Sequence, residues 1–305
     1  FDFSVKDLEQ ASNLVGIQGE AQSAYITLDV VEALKARVYL EMEDYQNAAA
    51  AAQGLINSKR YTLISDGDAY KKMWLNDVGT EAIWQFAMSK TETGSNALGS
   101  SFMGIVDKLP RPSYLPVKSV LNLYDKENDI RYDAYFTTGL IDRQVGDDIE
   151  VTYCSKWPGN PELYEGKSNN VNKLKAFRIS EMYLIAAEAY AMLNQEDKAS
   201  EMLNELKKIR IKGWTETVYN GAALMQEIQD ERVRELFAEG NRLFDMKRWK
   251  IGMKRSSSDA QRDDYLPALG TDIEKEATDN RWVWPIPKDE MDSNPQLKGQ
   301  QNPGY

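Results

Sequence analysis

The chain contains no histidine. That excludes a serine–histidine–aspartate triad, a cysteine–histidine pair and an HExxH zinc centre together. The single cysteine, Cys154, cannot close an intramolecular disulfide, and it leaves the redox compartment open. No GxxxxGK[ST] phosphate loop occurs, and Gly94, Gly99 and Gly104 lack the GxGxxG spacing. Asp125-Lys126-Glu127-Asn128-Asp129 begins like a calcium loop. Ile130 then stands where the sharp-turn glycine is required, and Phe136 where the bidentate glutamate is required. Structural calcium elsewhere in the acidic loops stays open, and no other cofactor is implied. Glycoside cleavage needs two carboxylates about 5–10 Å apart, one with a raised pKa. Among 48 acidic residues, spacing alone singles out no such pair. No feature makes a positive case for an enzyme.

Binding chemistry is better supplied. Sugars and other polar nutrients present C–H faces that stack on aromatic rings, while amides, carboxylates and cations hold their hydroxyls. The stretch 89–175 mixes these types: Asn96, Phe102, Arg111, Tyr114, Tyr132, Tyr135, Tyr153, Lys156, Trp157 and Tyr164. The candidate ligand-binding set within it is Asn96, Phe102, Tyr114, Trp157 and Tyr164. Phe102, Trp157 and Tyr164 sit in Gly-, Pro- and Asn-rich segments, where an aromatic is either exposed or a local packing anchor. Trp74, Trp84, Trp249, Trp282 and Trp284 lie in apolar settings or in the motifs quoted below, and are read as core. The charges of ERVRELFAEGNRLFDMKRW (231–249) recur at i, i+3 and i+4, the spacing of helix-surface or interlayer ion pairs.

Helices must position these residues. Between 177 and 206, Met182, Ile185, Ala186, Ala189, Met192 and Leu193 recur at three- and four-residue spacing. Asn194–Asp197 breaks the pattern, and Ala199, Met202, Leu203 and Leu206 resume it, so two antiparallel helices are predicted. A third helix runs through Leu224, Ile228 and Val233 to Leu236-Phe237. It is interrupted at Gly240, and continues through Leu243 to Trp249. Nearer the N-terminus, 4–22 reads as a helix capped by Ser4 with Val5, Leu8, Leu14 and Val15 inward. Tyr25–Glu43 and Asp44–Lys59 form another pair. An offset of 151 residues maps Ala36, Tyr39, Ala48 and Leu55 onto Ala187, Tyr190, Ala199 and Leu206. Two copies of one tetratricopeptide-like hairpin are therefore expected, with small residues letting helices approach and tyrosines filling gaps.

Between the copies, six Gly and Pro residues within 89–116 indicate a long loop, and 117–124 a short helix. Residues 139–153 read as a β-hairpin around a Gly-Asp turn, and 154–173 as polar loop. Tyr61–Leu63 and Glu81–Phe86 read as short extended pieces. Pro285, Pro287, Pro295 and Pro303 predict an extended tail that wraps the helical layer. The fold class is all-α: tetratricopeptide-like hairpins in an α-α superhelix, with a loop-rich insertion and an extended C-terminal tail. The expected organisation is a single domain over 1–305. Within it, 1–88 is a first helical layer, 89–175 the insertion, 176–250 the signature helices and 251–305 the tail.

With 305 residues, the chain can bury roughly three-quarters of its unfolded surface. A net charge of −11 with interleaved signs argues against nucleic acid, which needs a basic stripe. No apolar run reaches 18 residues, so no helix is expected to span a membrane.

FRISEMYLIAAEAY (177–190), ERVRELFAEGNRLFDMKRW and the closing WPIPKDEM…NPQLKGQQNPGY (284–305) together resemble the hallmarks of the SusD/RagB family. Its members are surface nutrient-binding lipoproteins of Bacteroidetes that sit on a TonB-dependent outer-membrane transporter. The similarity runs from about Ser23 to Tyr305. It implies capture of a glycan or oligosaccharide at the cell surface and delivery to a SusC-like transporter, without catalysis. It further implies an outer-membrane location through a lipid anchor that is not in this sequence. Phe1 corresponds to the middle of a family member, so a processed or truncated chain is expected, lacking the family's N-terminal part. A peptide-binding member of the family, or a repeat-type protein-interaction scaffold, are the alternatives. The family's ligand contacts come from variable loops, so the resemblance carries over no contact residue.

Overall fold

The computed structural model describes residues 2–91, 97–104, 109–143, 146–256, 258–262, 274–297 and 299–305. Its first helix, α1 (Asp2–Leu14), starts before Ser4 and stops at Leu14. Ser4 therefore lies inside the helix, and Leu14 is 84% exposed instead of inward. The expected helix to residue 22 is thus shortened.

Local chemistry sets the next elements. Thr27 opens α2 (Leu28–Glu41) by accepting the Val30 amide, and Asp44 opens α3 (Tyr45–Asn57) by accepting the Asn47 amide. Asp66 caps α4 (Gly67–Leu75) in the same way. The short strand β1 (Ala82–Gln85) follows, then α5 (Leu98–Phe102), α6 (Lys118–Leu121) and α7 (Ile130–Tyr135). Strands β2 (Phe136–Ile141) and β3 (Ile149–Cys154) pair antiparallel in unbroken register from Phe136↔Cys154 to Ile141↔Ile149. That is the hairpin predicted around 139–153. Strand β4 (Lys175–Arg178) then leads into α8 (Ile179–Met192), α9 (Glu196–Arg210) and α10 (Gly221–Glu235).

The two hairpin copies, α2–α3 and α8–α9, stack directly, with α3 packed on α8. Every mapped alanine and leucine is buried: Ala36, Ala48 and Leu55 in one copy, Ala187, Ala199 and Leu206 in the other. The symmetry extends to the backbone. Glu43 and Asn194, 151 positions apart, both hold left-handed φ (60° and 57°) in the turn between their helices.

Although 89–175 separates the copies in sequence, its base is closed. Strand β1 pairs antiparallel with β4 (Ala82↔Arg178, Trp84↔Phe177, Gln85↔Lys175), so the chain leaves and re-enters the helical layer at one point. The insertion packs on α4 through a second, aromatic core: Tyr70 and Trp74 from α4 with Tyr124, Tyr135, Phe136 and Trp157. Edge-on packing recurs there, as between Trp74 and Trp157 at 5.1 Å and 82°.

The polypeptide divides into two compact units, Phe1–Glu239 and Gly240–Tyr305. The division falls inside the 231–249 motif. Left-handed Ala238 and Gly240 (φ 57° and 87°) end the run of α10 there. The second unit holds α11 (Arg242–Arg248), the paired strands β5 (Met253–Lys254) and β6 (Glu274–Lys275), and α12 (Lys288–Ser293). Single 3-10 turns at Asn280–Trp282 and Pro295–Leu297 flank α12, so the tail is not uniformly extended as expected. Trp284, read as core, is 77% exposed.

Candidate functional site

Beneath the insertion lies a closed array of buried charge. Helix α10 supplies Glu231, Arg234 and Glu235, and the turn after it supplies Glu239. Glu235 accepts from Arg178 at 2.8 Å, from Arg210 at 2.9 Å and from Arg131 at 3.1 Å. Arg131 also pairs with Asp129 and Glu231, at 2.7 and 2.5 Å. Glu81 takes Arg178 and Arg210, while Glu239 takes Arg178 and Lys156. Arg131, Lys156, Arg178, Arg210 and Arg234 thus face Asp129, Glu81, Glu231, Glu235 and Glu239, and Arg234 extends the array to Glu227 and through it to Lys207.

Neighbouring cations offset desolvation for the carboxylates of α10 and the turn after it. Burial pushes the Glu235 carboxyl up, and Arg210 and Arg178 more than reverse it, holding it well below the carboxylate range. Glu231 goes the same way against its burial, down to about 2, under Arg131 and Arg234. Lys156 is the opposite case. Desolvation lowers its ammonium to about 8 although Glu239 pulls the other way. The ammonium sits 4.1 and 3.9 Å from the Trp74 and Tyr135 ring centres. Each carboxylate is paired and inaccessible, so none can trade protons with a bound molecule. The interlayer reading of the 231–249 charges holds, and their work is to bind the insertion to the helical layer.

The 154–173 segment also turns inward, against the expectation of a free polar loop. Asn160 donates to Asp77 at 2.9 Å, Asn172 donates to the Trp74 carbonyl at 2.7 Å, and the Gly159 amide donates to Asn172. Trp157 is 2% exposed, and its Nε1–H donates to the Ala238 carbonyl. Both of its faces meet protein, so Trp157 cannot stack on a ligand; that expectation is corrected. Tyr135, Tyr153 and Lys156 are likewise buried.

One group of candidates does reach solvent together. Helix α5 rests on the 157–170 segment so closely that a Cβ on Gly99 would lie 2.1 Å from the Trp157 carbonyl. After α5, Gly104 takes a left-handed φ of 74°. The Arg111 and Ser113 amides donate back to Met103 and Ser101, at 2.7 and 2.9 Å. These two bonds hold the segments of Phe102 and Tyr114 together, with the rings 6.4 Å apart at 55°. Phe102 leans on the aromatic core, while Tyr114 is 66% exposed. Beside them Arg111 is ion-paired with Asp142 from the end of β2, and the Asp142 amide donates to the Pro110 carbonyl at 2.9 Å. A rigid ring pair flanked by a solvent-facing charged pair can stack on a C–H face and hydrogen-bond hydroxyls.

Of the remaining candidates, Tyr164 is half-buried after the 3-10 turn Pro161–Leu163, next to the exposed Lys90–Glu165 pair. No ring contact among the described residues joins it to Phe102 or Tyr114. Asn96 lies outside the described residues. Asp142 was not legible as a partner, because 31 positions separate it from Arg111 and only a tertiary contact, the Asp142 amide on the Pro110 carbonyl, brings the two stretches together. Among the described residues, no three His, Cys, Asp or Glu side chains converge as metal ligands. Asp125 instead accepts from the Glu127 and Asn128 amides of its own turn.

Residues 148–305 match the model of the SusD family. A SusD-like protein, P38, of Formosa agariphila is 25% identical over 343 residues, covering 97% of this chain and 63% of that protein. A SusD superfamily protein of Bacteroides thetaiotaomicron superposes with a TM-score of 0.77 at 26% identity, covering 98% of this chain and 65% of that one. The surface glycan-binding protein A of Bacteroides uniformis shares the fold, with a TM-score of 0.69 at 20% identity over 98% of this chain and 67% of its own. The chain thus spans a little under two-thirds of the length of the first two.

Proposed function

The chain belongs to the SusD family, and from that premise we propose that it is a carbohydrate-binding protein of a nutrient-uptake system. It holds a glycan or oligosaccharide at the cell surface, on the outer membrane, and passes it to a SusC-like TonB-dependent transporter. No bond in the ligand is broken. Phe102 and Tyr114 form the stacking platform, with Arg111 and Asp142 hydrogen-bonding at its edge. The observation that carries this reading is the Phe102–Tyr114 pair, held in place by the Arg111 and Ser113 amide bonds to Met103 and Ser101, with one ring open to solvent. The glycan-binding relative that shares the fold supports the ligand class. A mostly pre-formed surface of two rings fits modest affinity, which permits release to a transporter.

A glycan array probed beside a peptide mixture tests it. Selective glycan retention that Tyr114→Ala weakens supports the proposal. Retention of peptides alone, or glycan retention indifferent to Tyr114→Ala and Phe102→Ala, overturns the ligand class or the site.

A further inference from the structure

The second compact unit contains a cleft of its own, of about 250 Å³. Met246 and Ile251, at the end of α11 and just beyond it, face Trp282 to give it an apolar wall. Lys247, Asn280 and Asn302 supply polar groups at its rim. Its volume falls just below the 300–1,000 Å³ or so typical of sites for drug-sized ligands, which suits a single ring and not an oligomer.

The wall is rigid where it matters. The Trp282 Nε1–H donates to the Glu276 carbonyl at 2.7 Å, fixing the indole. Asp279 caps the 3-10 turn that carries Asn280 and Trp282 by accepting from the Arg281 amide, at 2.7 Å. The Arg281 side chain also pairs with that carboxylate and holds it down to about 2. The neighbouring ion pair is therefore satisfied within the turn. Asn302 donates Nδ2 to the Trp284 carbonyl. Its Oδ1, the Asn280 amide and the Lys247 ammonium have no protein partner among the described residues. An indole wall with amide donors, amide acceptors and one ammonium at its edge matches the surface of a pyranose: apolar across the ring face, hydroxylated around the rim.

We propose that the cleft bounded by Met246, Ile251 and Trp282 is a binding site for one free hexose ring, separate from the loop platform. Trp282 takes the ring face, and Asn280, Asn302 and Lys247 take the hydroxyls. The inference rests on the chemistry of the cleft alone and does not depend on the platform.

The test is a titration of the whole chain with D-glucose, D-galactose and D-mannose, followed through the backbone and indole amide resonances. A saturable shift of the Trp282 indole is expected for at least one sugar. Asn280→Ala and Lys247→Ala, both at the rim, should each weaken it about fivefold, the loss of one net hydrogen bond. Tyr114→Ala should leave it unchanged, whatever that variant does to oligosaccharide binding. No saturable shift with any of the three sugars would overturn the proposal. So would affinity indifferent to both rim variants, or a response abolished by Tyr114→Ala.

Discussion

Arg178 donates to both oxygens of Glu239, Nε to one at 2.9 Å and Nη2 to the other at 2.6 Å. The pair joins β4, where the insertion returns to the helical layer, to the turn that follows α10. The same guanidinium reaches Glu81 and Glu235, so one side chain ties three elements together.

Arg178→Met therefore leaves three buried carboxylates under-paired. Removing one partner of a buried ion pair costs about 3–5 kcal/mol. Urea unfolding should show a midpoint lowered accordingly, with an unchanged slope. A loss below about 1 kcal/mol would mean the array does not bind the insertion to the helices.

The two aromatic candidates should separate cleanly. Tyr114 is 66% exposed, so Tyr114→Ala should change stability by less than about 0.5 kcal/mol while weakening glycan binding about tenfold. Trp157 is buried, so Trp157→Ala should cost about 3–5 kcal/mol and act on binding only through unfolding. Thermal melts run beside glycan titrations distinguish the two. Weakened binding by a fully folded Trp157→Ala would return that ring to the ligand site.

Acid should loosen the charged array. Glu231 is lowered from 4.5 to about 2, which at ~1.36 kcal/mol per pH unit is about 3 kcal/mol of stability. Its folded value lies below its unfolded one. The contribution is therefore complete above pH 4.5 and is lost as pH falls through 4.5 towards 2. Glu231→Gln should be less stable than the parent at neutral pH, with the gap closing through that window. A gap constant with pH would show that Glu231 is not held ionised by its neighbours. Lys156 shifts stability the same way with pH but for the opposite reason: its folded value, about 8, lies below the unfolded one because burial disfavours the charged form. Its burial costs stability below pH 8, and that cost is relieved as pH rises from 8 towards 10.5.

Gly99→Val tests how α5 is seated. The new side chain would begin 2.1 Å from the Trp157 carbonyl and 2.7 Å from that of Asn170, both backbone atoms with little freedom to yield. Helix α5 should lift, and Phe102 with it. Glycan affinity should fall while urea unfolding of the helical layer changes little. Retained affinity would show that Phe102 can leave its seat without consequence.

A left-handed turn makes the last test. Glu43 holds φ 60°, a conformation costly for a residue with a Cβ, at the position where the second hairpin has Asn194. Glu43→Gly should raise stability by about 0.5–1 kcal/mol, read as a higher melting temperature. A lower melting temperature would mean that the Glu43 side chain contributes more than its strain costs.

The sequence by itself determined the helical layer, because helix pairing is a short-range matter. Small residues at three- and four-residue spacing, breakers at Glu43-Asp44 and Asn194-Gln195, and the 151-residue repeat all act within one hairpin, where neighbours in the chain are neighbours in space. The β2–β3 hairpin was legible for the same reason. Family membership was legible too, since its motifs are local strings. Tertiary structure decided the site. Whether Trp157 stacks on a ligand or on Trp74 depends on the Ala238 carbonyl, 81 positions away, and on Lys175 above its ring. Burial of the asparagines of 154–173 depends on Asp77, more than 80 positions earlier. The pairing of Arg111 with Asp142 depends on a backbone contact between the Pro110 carbonyl and the Asp142 amide, 32 positions apart. Polar and aromatic side chains in a glycine-rich segment have the same composition whether they face water or a buried charge. Only the fold, by supplying or withholding a long-range partner, makes Tyr114 a surface and Trp157 a core.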